Sequence, residues 1–89
     1  MQYRLKIERD AERELDRLPG HMRQRIRRAI GQLTLTPRPS DAKRMSPPHE
    51  DKWRLRIENY RVIYTIDDET ILITVIHVAK RTHKTYENL

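Results

Sequence analysis

The stretch 51-DKWRLRIENYRVIYTID-67 carries the strongest structural signal in the chain. Apolar and charged residues alternate along it, which is typical of strands with one buried face. We expect Glu58-Asn59 to form a two-residue turn that pairs the two halves as a hairpin. In that register Arg56 faces Arg61 on one side, and the other side is apolar. Three facing pairs form the apolar side: Ile57 with Tyr60, Leu55 with Val62, and Trp53 with Tyr64.

Outside the hairpin, the periodicity of the chain predicts two helices and two more strands. Pro19-Gly20 separates the helices. The predicted elements are a strand at 3–7, helices at 10–18 and 21–35, a proline-rich loop at 36–50 and a strand at 70–79. We therefore predict one α+β domain spanning residues 1–89, with the order β-α-α-β-β-β. Its sheet is mainly antiparallel, and a helical hairpin covers one face.

The second face of the hairpin is cationic. Lys52, Arg54, Arg56 and Arg61 share it, and neither strand places a carboxylate beside them. Like charges directly opposite each other destabilise a sheet. We interpret the face as an anion-binding surface, with a solvated basic surface as the alternative.

The last strand is expected to complete both faces. Strict alternation places Lys80 on the basic face, and it places Arg81 and His77 on the helix side. A strand that ended near Ala79 would leave the direction of Arg81 open. The same alternation predicts an apolar floor beside the basic residues, formed by Leu72, Thr74, Ile76 and Val78.

Composition narrows the classes of function. Nineteen basic and 13 acidic residues give a net charge of +6, which favours a polyanionic partner. There is no cysteine, and the four histidines lack the spacing of a metal site, so we expect neither metal nor cofactor. The first ten residues lack the apolar region of a signal peptide. No apolar run is long enough to span a membrane, and we expect a cytoplasmic protein.

The segments KWRLRIENYRVIYTIDD and VAKRTHKTY, in this order of elements, resemble the RelE/ParE superfamily of bacterial toxins. RelE-like members are ribosome-dependent endoribonucleases that cut mRNA in the A site. ParE-like members act on DNA gyrase and lack the cationic catalytic cluster. The resemblance is to the RelE-like branch, although Arg54 replaces a lysine and the spacing before Tyr86 is one residue shorter.

The resemblance implies a site for metal-independent cleavage by attack of the RNA 2′-hydroxyl. Its implied catalytic residues are Lys52, Arg54, Arg61, Arg81 and Tyr86. Lys52 is the better candidate for the base, because arginine stays protonated. Further contacts with nucleic acid are expected from Arg56, Lys80, His83 and Lys84, with His83 as a possible acid.

The resemblance also implies partners, namely an acidic RelB-like antitoxin, the 70S ribosome and mRNA. An acidic segment is expected to lie along the helical hairpin, where Arg23, Arg25, Arg27 and Arg28 crowd the second helix. Two alternatives stay open: a ParE-like inhibitor of gyrase and a non-catalytic RNA-binding module.

Overall fold

The computed structural model describes residues 2–81, and it confirms the predicted α+β class. Three predicted site residues, Tyr86, His83 and Lys84, lie outside the described residues. The elements, in chain order, are β1 (Arg4–Ile7), α1 (Arg9–Asp16), α2 (Gly20–Leu33), β2 (Ala42–Arg44), β3 (Lys52–Ile57), β4 (Tyr60–Asp67) and β5 (Leu72–Lys80).

Five strands form one sheet in the order β1-β5-β4-β3-β2. The β1 strand runs parallel to β5, and every other pairing is antiparallel. The short β2 strand was not predicted. It forms inside the proline-rich loop, where Ala42, Lys43 and Arg44 pair with Leu55, Arg54 and Trp53 on the edge of β3.

The predicted hairpin register is confirmed. Ile57 pairs with Tyr60, and Arg56 pairs with Arg61. Both helices pack on the apolar face of the hairpin, where the helical spacing of α1 and α2 buries a narrow stripe of each helix. The buried cluster comprises Ala11, Leu15, Ile26, Ile30, Leu33, Leu55, Ile57, Val62, Tyr64, Ile73, Val75 and Val78.

A register shift in β5 overturns the strict alternation predicted for the last strand. Tyr64 pairs with Val75, but Ile63 pairs with His77, so Ile76 is an extra residue opposite the Ile63/Tyr64 step. Such a bulge reverses the direction of every later side chain relative to strict alternation. Val78 accordingly belongs to the helix-side core and not to the open floor.

The bulge also changes the positions predicted for His77 and Lys80. His77 pairs with Ile63 and not with Tyr60, so its predicted core-side register is wrong. Lys80 pairs with Tyr60 on the helix-side register, and Ala79 pairs with Arg61. The last strand also begins later than the predicted residue 70, because β5 starts at Leu72 and Ile71 before it has a φ of 48°.

The helix α1 anchors the bulged part of β5. The backbone N–H of Val78 donates to the Glu14 carboxylate at 2.9 Å. His77 Nδ1 lies 3.7 Å from the same carboxylate oxygen. Because β1 pairs with β5 only as far as Val75, Glu14 satisfies a backbone donor for which β1 offers no partner.

Two contacts tie the segment before β2 to the sheet. The buried Tyr64 hydroxyl donates to the Pro37 carbonyl at 2.7 Å. The Arg38 guanidinium binds Asp68 at 2.8 Å and lies 5.5 Å from the centroid of the Trp53 ring. These contacts hold one end of the loop that leads to β2 against β3, β4 and the turn after β4.

The buried hydroxyl of Tyr64 leads us to predict how the stability of the protein changes at alkaline pH. Burial raises the pKa of its hydroxyl to about 12, whereas an unfolded tyrosine titrates near pH 10. The folded state therefore holds this proton more tightly than the unfolded state. The contribution of Tyr64 to the free energy of unfolding is fully present below pH 10 and is lost as pH rises toward 12. We expect Tyr64→Phe to cost about 1 kcal/mol at pH 7, through the lost hydrogen bond.

Between pH 10 and 12 the same variant should lose less stability than the wild type. Urea unfolding at pH 7, 10 and 11.5 measures both effects. Tyr60→Phe, on the same strand, is the matched control and should keep the steep alkaline loss. A parallel decline in wild type and Tyr64→Phe would refute this origin of alkaline instability.

Candidate nucleic-acid interface

The open face of the sheet contains a groove of about 400 Å³, here called the basic groove. The strands β3 and β4 supply three arginines to it, and the segment that enters β2 supplies the opposite wall. Its lining comprises Ser40, Asp41, Lys43, Arg54, Arg56, Glu58 and Arg61. Side-chain alternation explains the clustering, because Arg54 and Arg56 share a face of β3 and Arg61 is the partner of Arg56.

Arg61 is the most enclosed cation of the basic groove. It is 6% exposed, although it carries a full charge. Burial first, and then the neighbouring Arg54, Arg81 and Arg56, lowers the pKa of its guanidinium. Arginine stays protonated at neutral pH even so. Burial and like charges both disfavour a cation, so a negative charge placed beside Arg61 would be stabilised.

The bulge in β5 brings Arg81 to the same end of the sheet. Its backbone N–H donates to the Asn59 carbonyl at 2.5 Å, which continues the ladder past the last paired residues of β5. In the shifted register Arg81 has the parity of Ala79, the partner of Arg61. Its charge accordingly contributes to the lowered pKa of Arg61. Strict alternation would have directed Arg81 toward the helices.

Lys52 lies apart from the closest group of arginines. It shares a face with Arg54 and Arg56, but it pairs with Thr65 and does not line the basic groove. At about 3.3 Å per residue, four residues of strand separate the backbones of Lys52 and Arg56 by roughly 13 Å. The Lys52 ammonium lies 3.4 Å from an Asp51 carboxylate oxygen. Lys52 therefore flanks the groove beyond Arg54.

Of the apolar floor predicted for the open face, Leu72 and Thr74 have the predicted register, but Val78 does not. Ile63 pairs with Arg54 and shares the face of Arg61, and it is 1% exposed while lying outside the helix-side cluster. Val78, which was expected there, packs under the helices. The sequence pattern contained this signal, since Ile63 has the same parity as Arg61.

Sequence reasoning missed two carboxylates of the basic groove, Asp41 and Glu58. Glu58 occupies the turn with a φ of 51°, and its carboxylate lies 3.8 Å from Arg25 of α2. Asp41 precedes β2, whose pairing with β3 brings it to the groove. The isolated sequence gives no register for a short strand inside a proline-rich loop, so it contained no signal for Asp41.

The arginines of α2 have different surroundings. Arg27 binds Glu12 at 2.7 Å and lies 3.7 Å from Asp16, so it links α2 to α1. Arg23 donates to the Asp16 carbonyl. Arg25 and Arg28 line a second, wider groove of about 840 Å³ between α2 and the turn at Glu58-Asn59, here called the helix groove.

The described residues contain neither a cluster of metal ligands nor a membrane-spanning helix. Across residues 2–81, no three histidine, aspartate or glutamate side chains come together as metal ligands. Within the same residues no helix has the length and apolar character needed to cross a bilayer.

Comparisons with known proteins identify the family to which this fold belongs. Residues 5–84 match the family described as the ParE toxin of the type II toxin-antitoxin system parDE. The chain is 30% identical over 81 residues to the mRNA interferase toxin RelE of Escherichia coli K12, with 91% of this chain and 85% of that protein aligned.

Solved structures of toxin–antitoxin complexes share the fold. The toxin–antitoxin complex RelBE2 of Mycobacterium tuberculosis matches with a TM-score of 0.81 and 26% identity, covering 91% of this chain and 100% of that one. The archaeal RelE–RelB complex of Pyrococcus horikoshii OT3 matches with a TM-score of 0.82 and 26% identity, covering 93% and 99%.

The fold and these matches define a small toxin of the RelE/ParE superfamily, which confirms the resemblance drawn from the sequence. The chain belongs to the ParE toxin family of type II toxin–antitoxin systems.

Proposed function

We propose that this toxin is a ribosome-dependent endoribonuclease that cuts mRNA in the A site. The observation that carries the proposal is the enclosed Arg61, with Arg54, Arg56 and Arg81 acting on its charge. Fixed cations of this kind stabilise the negative charge that gathers on a phosphate during transfer. The relative named mRNA interferase toxin RelE supports the same activity.

In the proposed reaction, which takes place on the ribosome, the reacting groups belong to this chain and to the mRNA. The 2′-oxygen attacks its neighbouring phosphorus, the bond from phosphorus to the 5′-oxygen breaks, and the products are a 2′,3′-cyclic phosphate and a free 5′-hydroxyl. Arg54, Arg61 and Arg81 bind the phosphate oxygens as the phosphorane forms. Lys52 is assigned as the acceptor of the 2′-proton, and the leaving 5′-oxygen takes its proton from His83, the candidate acid that lies outside the described residues. Tyr86, which lies outside the described residues, is assigned the stacking or orientation of a base.

A second candidate is inhibition of DNA gyrase, because the matching family is named for the ParE toxin. The resemblance implies that ParE-like members lack a cationic catalytic cluster, whereas cations line the basic groove of this chain. Incubation with translating ribosomes, read by primer extension, tests the proposal. Cuts in register with codons support the endoribonuclease, whereas intact mRNA with inhibited supercoiling in a parallel gyrase assay supports the alternative. Intact mRNA that the protein still binds would indicate a non-catalytic RNA-binding module.

The first functional prediction concerns the anion site. Arg81→Ala and Arg61→Ala should each slow mRNA cleavage by roughly 10²–10³, the cost of one preorganised charge donor. Arg81 is exposed, so its variant should keep the thermal stability of the wild type and serve as the test if Arg61→Ala unfolds. Arg13→Ala, on the exposed surface of α1, is the matched control. Cleavage at the wild-type rate by Arg81→Ala would remove Arg81 from the site.

The second concerns the proton acceptor. Lys52→Arg keeps the charge but removes the titratable amine, so it should bind ribosomes as the wild type does and cleave as slowly as Lys52→Ala. General-base catalysis contributes typically 10²–10⁴ in rate. Single-turnover cleavage and ribosome pelleting measure the two properties separately. If Lys52→Arg cleaves at the wild-type rate, Lys52 acts only through its charge and is not the proton acceptor.

The third concerns an acidic antitoxin, a partner supported by the neighbouring toxin–antitoxin complexes. We propose that an acidic segment lies in the helix groove and contacts Arg28. Arg28→Ala should then weaken binding and make its salt dependence shallower, because one fewer charge pair is screened. Arg27→Ala removes the same charge from the same helix, but Arg27 is engaged with Glu12, so it should change the salt slope less. Equal slopes for wild type and Arg28→Ala would contradict this placement.

A further inference from the structure

Asp41 is the residue of the basic groove whose presence the fold does not explain. The groove is lined by four cations, and a carboxylate among them repels the phosphates that the cations attract. Glu58 also lines the groove, but Arg25 of α2 lies 3.8 Å from its carboxylate. Within residues 2–81, by contrast, Asp41 takes part in no ion pair.

The sheet register locates Asp41 across the groove from Arg61. Ala42 pairs with Leu55, so Asp41 is level with Arg56, whose other neighbour is Arg61. Adjacent strands lie about 4.8 Å apart, which separates the backbones of Asp41 and Arg61 by roughly 10 Å. The basic groove of about 400 Å³, which Arg56 also lines, has room for one sugar–phosphate unit with its phosphate at Arg61 and its sugar toward Asp41.

The loop around Asp41 is held in place. The Ala42 backbone N–H donates to the Pro39 carbonyl at 2.9 Å, and β2 continues directly from this turn. Four residues earlier, Pro37 accepts from the Tyr64 hydroxyl, and Arg38 binds Asp68. The Asp41 carboxylate is therefore presented at a defined edge of the groove.

We propose that Asp41 accepts a hydrogen bond from a ribose 2′-hydroxyl, so that the basic groove selects RNA over DNA. An ionised carboxylate can only accept hydrogen bonds, and the sugar of RNA offers a donor that the sugar of DNA lacks. The carboxylate weakens the binding of any phosphate backbone through charge repulsion. Only RNA compensates for this repulsion, because its 2′-hydroxyl donates a hydrogen bond to the carboxylate. This inference rests on the proposed function, because it supposes that the groove holds a nucleic acid strand.

Binding of matched oligonucleotides tests the proposal without any cleavage step. The probes are a single-stranded RNA and its 2′-fluoro counterpart, which keeps the sugar pucker of RNA but has no 2′ donor. Fluorescence anisotropy gives the dissociation constant of each, with gel analysis to verify that the RNA is intact. The wild type should bind RNA roughly tenfold more tightly, the contribution of a hydrogen bond to a charged group.

Asp41→Ala should bind the two probes equally, and its affinity for the 2′-fluoro probe should match or exceed that of the wild type. Glu58→Ala is the matched control, since it removes a carboxylate from the same groove. It should strengthen the binding of both probes and keep their ratio. Asp41→Asn, which retains an uncharged acceptor, should keep part of the preference. Asp41 is exposed, and unchanged thermal unfolding verifies that its variants are folded.

A wild type without ribose preference, or an Asp41→Ala variant that keeps it, overturns the assignment. Failure of the proposed function gives a different result. In that case primer extension shows no cuts by the wild type, whatever the ratio of the two probes. A ribose preference that depends on Asp41 would still stand in a protein that binds RNA without cleaving it.

Discussion

The pairing of β4 with strands on both sides is the constraint on which the rest of this molecule depends. Val62 and Tyr64 are fully buried beneath the helices, and alternation then forces Arg61 and Ile63 to the opposite face. A slip by one residue would exchange the two sets and bury a charge in the core. The energy of the apolar core therefore holds Arg61 in the middle of the open face, where solvent barely reaches it.

The cationic groove opposes the stability that the core provides. Arg56 faces Arg61 directly across two strands, an arrangement that costs rather than contributes folding energy. No reorganisation is needed when an anion arrives, because the core has already fixed the backbone beneath the guanidiniums. This preorganisation is what gives charge stabilisation its effect on a reaction rate. In the proposed function the same residues bind an anion, and that binding offsets their mutual repulsion.

The sequence could predict the hairpin because turn length, alternation and apolar pairs all agreed on one register. It could not predict the bulge, since Val75, Ile76 and His77 are each compatible with either face and only the packing of Val78 decides between them. The bulge reverses the directions of both Lys80 and Arg81 relative to those predicted by strict alternation. The β2 strand was not predicted for another reason. Its three residues have little strand preference of their own, and they form a strand because they pair with β3.

The site was predictable in part for the same reasons. Arg54, Arg56 and Arg61 follow from the hairpin register, and the structure brings them into one groove. Lys52 shares their face but is distant along the strand, because a shared face does not imply proximity. Asp41 belongs to a segment whose position depends on tertiary contacts of Pro37 and Arg38, which no local pattern encodes.

The excess of positive charge and the basic groove lie mainly in different halves of the chain. Residues 1–46 hold 12 basic and 6 acidic side chains, whereas residues 47–89 hold 7 of each. The net charge of +6 therefore comes from the half that contains the helices, and this half attracts polyanions in general. The basic groove lies mainly in the neutral half, where Asp67 ends β4 and Asp68 follows it in the turn, away from Arg61. Its selectivity consequently depends on which few side chains converge there, and the fold shared by RelE-like and ParE-like toxins leaves that choice to the individual sequence.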